Sequence, residues 1–206
     1  MLVLPYCVYL GKSIGKIPAK GVLDAEVQAK QCGPLVVLYS EIERSRIAPE
    51  TFQQSALEFH RVVHAVFDSA AVIPFRFPTW LSAEELADHL QKESERYQAF
   101  LTLHADHVQM ELRVTQPSSE SLPAPSSGTE HLRARAARLH QSEKAVEGLK
   151  TLFAPEVLEW RERDIPEGKR LYALVERGQV AHFRERLSQR SVRWSGPWPA
   201  TEFLGN

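Results

Sequence analysis

The sequence predicts an α+β protein made of two small α+β domains, the first with an antiparallel sheet. Three observations point there. Residues 108–114 alternate without exception: Val108, Met110, Leu112 and Val114 point one way, and Gln109, Glu111 and Arg113 point the other. That is the pattern of a sheet with one face on a core and one in water. Segments of helical spacing alternate with extended ones along the whole chain. Finally, Thr115–Gly128, TQPSSESLPAPSSG, is mostly Ser, Pro and Gly, with Leu122 as its one large aliphatic residue. Such a stretch cannot bury enough apolar surface to offset its ordering entropy. It divides the chain into a domain over 1–114, a linker or loop over 115–128, and a second domain over 129–206.

In the first domain, MLVLPYCVYL reads as a strand with Leu4, Tyr6, Val8 and Leu10 on one face and Gly11 at its end. It lacks the basic leader and cleavage site of a signal peptide. AEVQAK and PLVVLYSE form a hairpin around Gln31-Cys-Gly-Pro34, where Gly33 and Pro34 are turn residues. Pro49 suits the first turn of a helix carrying Phe52, Ala56 or Leu57, Phe59 or His60, Val63, and Val66 or Phe67 at helical spacing. AVIPFRF is extended, with Ile73, Phe75 and Phe77 on one face. Ser82 with Glu85 three residues on is a capping box, opening a helix with its stripe on Leu86, Leu90, Tyr97 and Leu101. VQMELRV is the last strand of this domain. The order β-β-β-α-β-α-β, with helices on one face of an antiparallel sheet, is ferredoxin-like.

The second domain opens on a helix from about Thr129 to Phe153, with Leu132, Leu139, Val146 and Phe153 seven residues apart. Its intervening positions mix Arg135, Ser142 and Leu149, so it reads as a helix on its own sheet rather than a coiled coil. EVLEWRER and RLYALVER follow as strands. Gly178–Arg190 reads as a helix with Val180, Phe183 and Leu187 inward, and SVRWSG as a closing strand.

Composition narrows the function. The formal net charge is −1, whereas nucleic-acid binders usually carry a basic excess, so no nucleic-acid partner is expected. No run approaches the ~20 apolar residues that span a bilayer. Cys7 and Cys32 make neither a metal motif nor a disulfide framework, which suits free thiols in a cytoplasmic protein.

Candidate chemistry is sparse. HRVVH spaces His60 and His64 one helical turn apart, but Arg61 stands where a zinc protease has its glutamate, and no third ligand offers itself. GKSIGK lacks the first glycine of a phosphate loop and reads as surface. No nucleophile elbow or CxxC occurs. The arginines between Arg161 and Arg193 are interleaved with acids, as on a solvated, salt-bridged surface. Arg76, in an otherwise apolar strand, is expected to pair with Glu111 across the sheet or to form a functional patch. The expectation is therefore no catalytic residue, no metal, no cofactor and no small-molecule substrate. An enzyme or small-ligand binder would require convergent polar groups, which the sequence does not assemble.

Two motifs resemble the gas vesicle protein L/F family. VIPFRFPTW is similar to the family's strand V-L-P-x-R-F-G-T, preceded by a helix with a histidine. His60 stands fourteen residues before Pro74, and Pro74, Arg76, Phe77 and Thr79 match. The closing GPWPATEFL is similar to G-P-W-P-P-Y-S-F, with Gly196, Pro197, Trp198, Pro199 and Phe203 matching. Pro78 replaces the family's glycine. The resemblance implies an accessory protein of gas vesicle assembly, cytoplasmic and vesicle-associated, that binds the hydrophobic shell protein and other accessory proteins. A paralogue serving another partner is the alternative. The tail itself, stiffened by Pro197 and Pro199, is expected to fold back on its own protein with Trp198 as a structural latch.

Overall fold

The computed structural model describes residues 2–11, 17–115, 128–166, 168–190 and 192–205. The chain is α+β and forms two compact units. One comprises Met1–Asp106 with Pro199–Leu204, the other His107–Trp198 with Gly205–Asn206.

The first unit is built on an antiparallel sheet in the order β2-β3-β1-β4, with β5 also on β1. Strand β1 (Leu2–Leu10) is central, which explains its long apolar run. Leu4, Tyr6 and Val8 are fully buried, as the sequence indicates, but so are Val3, Cys7 and Tyr9 on the other face. Strands β2 (Gln28–Cys32) and β3 (Leu35–Glu41) make the expected hairpin, turning at Gly33 and Pro34. Tyr6 places a hydroxyl in this core and satisfies it. Its oxygen lies 2.9 Å from Ser40 Oγ and accepts from the Val22 amide at 3.0 Å. Ser40 in turn donates to the Glu26 carbonyl.

Helix α1 (Phe52–Phe67) buries Phe59, Val62, Val63, Val66 and Phe67, leaving Phe52 and Leu57 exposed. Short strands β4 (Ile73–Pro74) and β5 (Leu81–Ser82) lie in succession along the edge of β1 that β3 does not occupy. The extended reading of residues 71–77 holds only as far as Phe75, whose amide donates to the Tyr6 carbonyl at 2.9 Å. Helix α2 (Ala83–Leu103) begins with the anticipated capping box. The Glu85 amide donates to Ser82 Oγ at 3.1 Å, and the Ser82 amide donates to Glu85 Oε2 at 2.6 Å. Its stripe of Leu86, Leu90, Tyr97 and Leu101 is buried.

The second sheet runs β7-β8-β6-β9, all antiparallel. Its members are β6 (His107–Thr115), β7 (Val157–Ile165), β8 (Gly168–Glu176) and β9 (Arg193–Trp198). Strand β6, assigned from the sequence to the first domain, is instead an inner strand of this sheet. The alternation in 108–114 is a local signal that fixes which residues face a core. It does not say which sheet the strand joins. Val108, Met110, Leu112 and Val114 do face the core, and Gln109 is buried as well. The unit therefore begins at 107 rather than 129. Most of the expected linker, residues 116–127, lies outside the described residues, as does the GKSIGK loop at 12–16.

Helices α3 (Gly128–Phe153) and α4 (Val180–Ser188) complete this unit. Val146 and Phe153 of α3 are buried, as are Phe183 and Leu187 of α4. The Phe153 and Phe183 rings meet at 4.9 Å. Arg186 ties the two helices together: its guanidinium lies over Phe153 at 4.8 Å, donates to the Leu152 carbonyl at 2.9 Å and pairs with Glu156.

Candidate interaction surface

Residues 73–82 form a loop pinned at both ends to β1. Pro74 pairs with Cys7 on one side, and Leu81 with Val3 on the other. Pro74 has no N–H to continue a ladder, and past Phe75 the backbone leaves the sheet. Thr79 Oγ1 donates to the Arg76 carbonyl at 2.5 Å and closes the turn. The Phe77–Pro78 peptide is cis.

The loop sends its two central side chains to different places. Arg76 is exposed. Phe77 turns inward, its ring 5.3 Å from Phe52 and 5.2 Å from Phe59, and Phe59 lies 5.2 Å from Tyr6. Four aromatic rings thus run from the surface, where Phe52 is 45% exposed, to Tyr6 in the fully buried core. Phe75 is held separately, 5.7 Å from the His89 ring of α2, and His89 Nε2 lies 3.0 Å from Tyr97 Oη. Arg76 and Glu111 are not the cross-strand neighbours expected, because β4 and β6 belong to different sheets. Glu111 Oε1 is engaged by Arg113 at 2.8 Å and Arg170 at 3.4 Å in the second sheet, while Arg76 follows β4 of the first.

His60 lies on the outer side of α1, exposed, its ring 4.2 Å from that of His64. Desolvation, and then the neighbouring His64, hold its imidazole below the usual 6.5. Among the described residues, no group of three His, Cys, Asp or Glu is placed to hold a metal ion. No described helix is long and apolar enough to cross a membrane.

The tail motif begins inside a strand. The closing strand, expected to end at Gly196, runs on through Pro197 to Trp198 as β9. Gly196 has φ +119°, and a Cβ there would stand 2.9 Å from the Gln109 carbonyl oxygen and 3.0 Å from Met110 Sδ. Only glycine permits so close a strand approach at that backbone angle. Arg184 of α4 donates to the Gly196 carbonyl and lies over Trp194. Trp198 is half-buried, opposite Gln109, with Nε1 donating to Ser195 Oγ at 3.1 Å. Pro199–Leu204 belong to the first unit, where a short 3-10 turn, Thr201–Phe203, buries Phe203.

His60, Pro74, Arg76, Phe77 and Thr79 therefore share the first unit with Pro199 and Phe203, and Gly196–Trp198 belong to the second. The sequence did not reveal the stack through Phe52, Phe59 and Tyr6, because those rings come from separate elements and no periodicity links them.

A family model described as "Gas vesicle synthesis protein GvpL/GvpF" matches residues 3–205. The fold is similar to the crystal structure of gas vesicle protein GvpF from Anabaena sp. PCC7120, with TM-score 0.79 and 12% identity, covering 100% of this chain and 96% of that one. It is also similar to the crystal structure of gas vesicle protein GvpF from Microcystis aeruginosa, with TM-score 0.77 and 11% identity, covering 100% of this chain and 99% of that one. No curated protein sequence matches the chain. With a match that spans nearly its full length, the chain belongs to the gas vesicle synthesis protein GvpL/GvpF family.

Proposed function

We propose that this protein is an accessory factor of gas vesicle assembly that binds the hydrophobic shell protein, other accessory proteins, or both, in the cytoplasm. The family match over residues 3–205 carries this reading. The geometry is consistent with binding rather than catalysis. The loop at 76–80 is held at both ends, so Arg76 is presented on a fixed support, and little order is lost when a partner docks. Phe52, 45% exposed on helix α1 and in contact with Phe77, offers apolar area beside it. A shell subunit before assembly presents apolar surface that must be covered. Gly196, Pro197 and Trp198 act in this reading as a latch for the C-terminal segment, not as a contact for the shell protein.

The test is genetic. Removing this chain from a host that makes gas vesicles should abolish the buoyant vesicle fraction, and restoring it should return that fraction. Normal vesicle yield without the chain would reject the role.

A further inference from the structure

Four arginines stand in one register row across the second sheet. Arg163 of β7 is opposite Arg170 of β8, Arg170 is opposite Arg113 of β6, and Arg113 is opposite Arg193 of β9. Directly paired residues share a face, so all four side chains leave the sheet on the same side. It is the side away from Met110 and Leu112, which face the core under α3, and the same side carries Gln109, Tyr172 and Leu174, which are buried. With strands ~4.8 Å apart, the row is about 14 Å long.

Like charges directly opposite one another weaken a sheet, and here three such neighbours follow in succession. Arg163 lies over the Tyr172 ring at 5.9 Å. Glu111, on the same face two residues along β6, reaches Arg113 and Arg170, and Glu159 pairs with Arg161 at 3.0 Å. Among the described strand residues, this face carries Arg113, Arg161, Arg163, Arg170 and Arg193 with Glu111 and Glu159. Arg113, Arg163 and Arg193 are exposed. A shallow concavity of about 150 Å³ opens between Arg113 and Arg193 over Glu111, Trp194 and Ser195.

We infer that this arginine row is a docking site for an acidic helix of a partner protein, lying across the strands. Carboxylates on one helix face recur about every turn, or ~5.4 Å, and drift only ~2 Å from the row over its length. On an extended chain they recur every ~6.7 Å on one face and drift about three times as far. Planar guanidinium forks suit carboxylate geometry. Nucleic acid is the poorer occupant, because the row is short and the protein's formal net charge is −1. This site is separate from the loop at 76–80 and does not rest on shell-protein binding.

The test uses the full-length protein and a helical peptide with glutamates at i, i+4, i+7 and i+11. Controls are a peptide of the same composition with its glutamates spread around the helix, and a single-stranded oligonucleotide of equal charge. The striped peptide should bind best and lose most of its affinity in ~0.5 M salt. Arg113→Gln with Arg193→Gln should weaken it about tenfold, as expected for two partly exposed ion pairs, without lowering the melting temperature. Arg193→Gln alone, on edge strand β9, should show a smaller loss and serves should the double variant not fold. No binding, equal binding of both peptides, tighter binding of the oligonucleotide, or unchanged affinity in the variants would each overturn the inference.

Discussion

The ring of Phe77 lies 5.2 Å from that of Phe59, so the loop carrying Arg76 is anchored to the core by its very next residue. Phe77 is half-buried and touches Phe52 as well. Truncation there removes the middle of the aromatic stack and frees the loop. Phe77→Ala should cost about 2–3 kcal/mol, below the full value for a core phenylalanine. Urea unfolding measures it. A loss under 0.5 kcal/mol would mean the loop is held by its β1 pairings alone.

At the tail, Gly196→Ala meets the Gln109 carbonyl and Met110 Sδ and must hold φ +119°. Both effects oppose the folded state, so a loss of at least ~2 kcal/mol is expected. Trp198→Ala should cost about 2 kcal/mol, because the ring is only half-buried, and should make the last residues sensitive to protease. Thermal melting and limited proteolysis of the two variants decide it. A Trp198→Ala protein of unchanged stability that no longer binds the shell protein would make the tail a contact, not a latch.

His60 should titrate below 6.5 in the folded protein, for the two causes given above. A base that binds its proton less well when folded contributes stability above 6.5, and that contribution is lost as pH falls through the folded value. His64→Gln removes the second cause and should raise the His60 midpoint toward 6.5, leaving the burial contribution. Proton NMR of the His60 imidazole in the wild type and the variant follows this directly. A His60 midpoint above 6.5 would contradict it.

The two thiols should react at very different rates. Cys7 is fully buried in β1, and burial pushes its pKa up to about 12, while Cys32 is half-buried at a hairpin turn. Thiolate is the reactive form. A disulfide reagent at neutral pH should therefore label one thiol, with the second following only on unfolding. Equal labelling of both in the folded protein would refute the placement of Cys7.

Much of this architecture is written locally. The capping box at Ser82 and Glu85, the Leu86–Leu101 stripe and the hairpin at Gly33-Pro34 each depend on neighbours a few residues apart, and each is read correctly. Pairing between distant strands is not local. Residues 108–114 announce their buried face, yet their partners, β8 and β9, arrive more than fifty residues later, so their sheet was misassigned. The supposed Arg76–Glu111 cross-strand pairing failed for the same reason. Around Phe77, period-two reading put an inward ring on a strand, whereas the ring is inward because the chain turns between two prolines. The arginine row is likewise invisible until register is known, since its members are spread over residues 113–193.

Binding to the shell protein is the central claim, and a quantitative pull-down tests it most directly. Full-length protein is immobilised, freshly solubilised shell protein is passed over it, and the Arg76→Ala variant is run beside the wild type. Arg76 is exposed, so its loss should change stability by less than ~0.5 kcal/mol. The account predicts that wild type retains the shell protein and that Arg76→Ala retains several-fold less at an unchanged melting temperature. No retention by the wild-type protein would contradict the account outright.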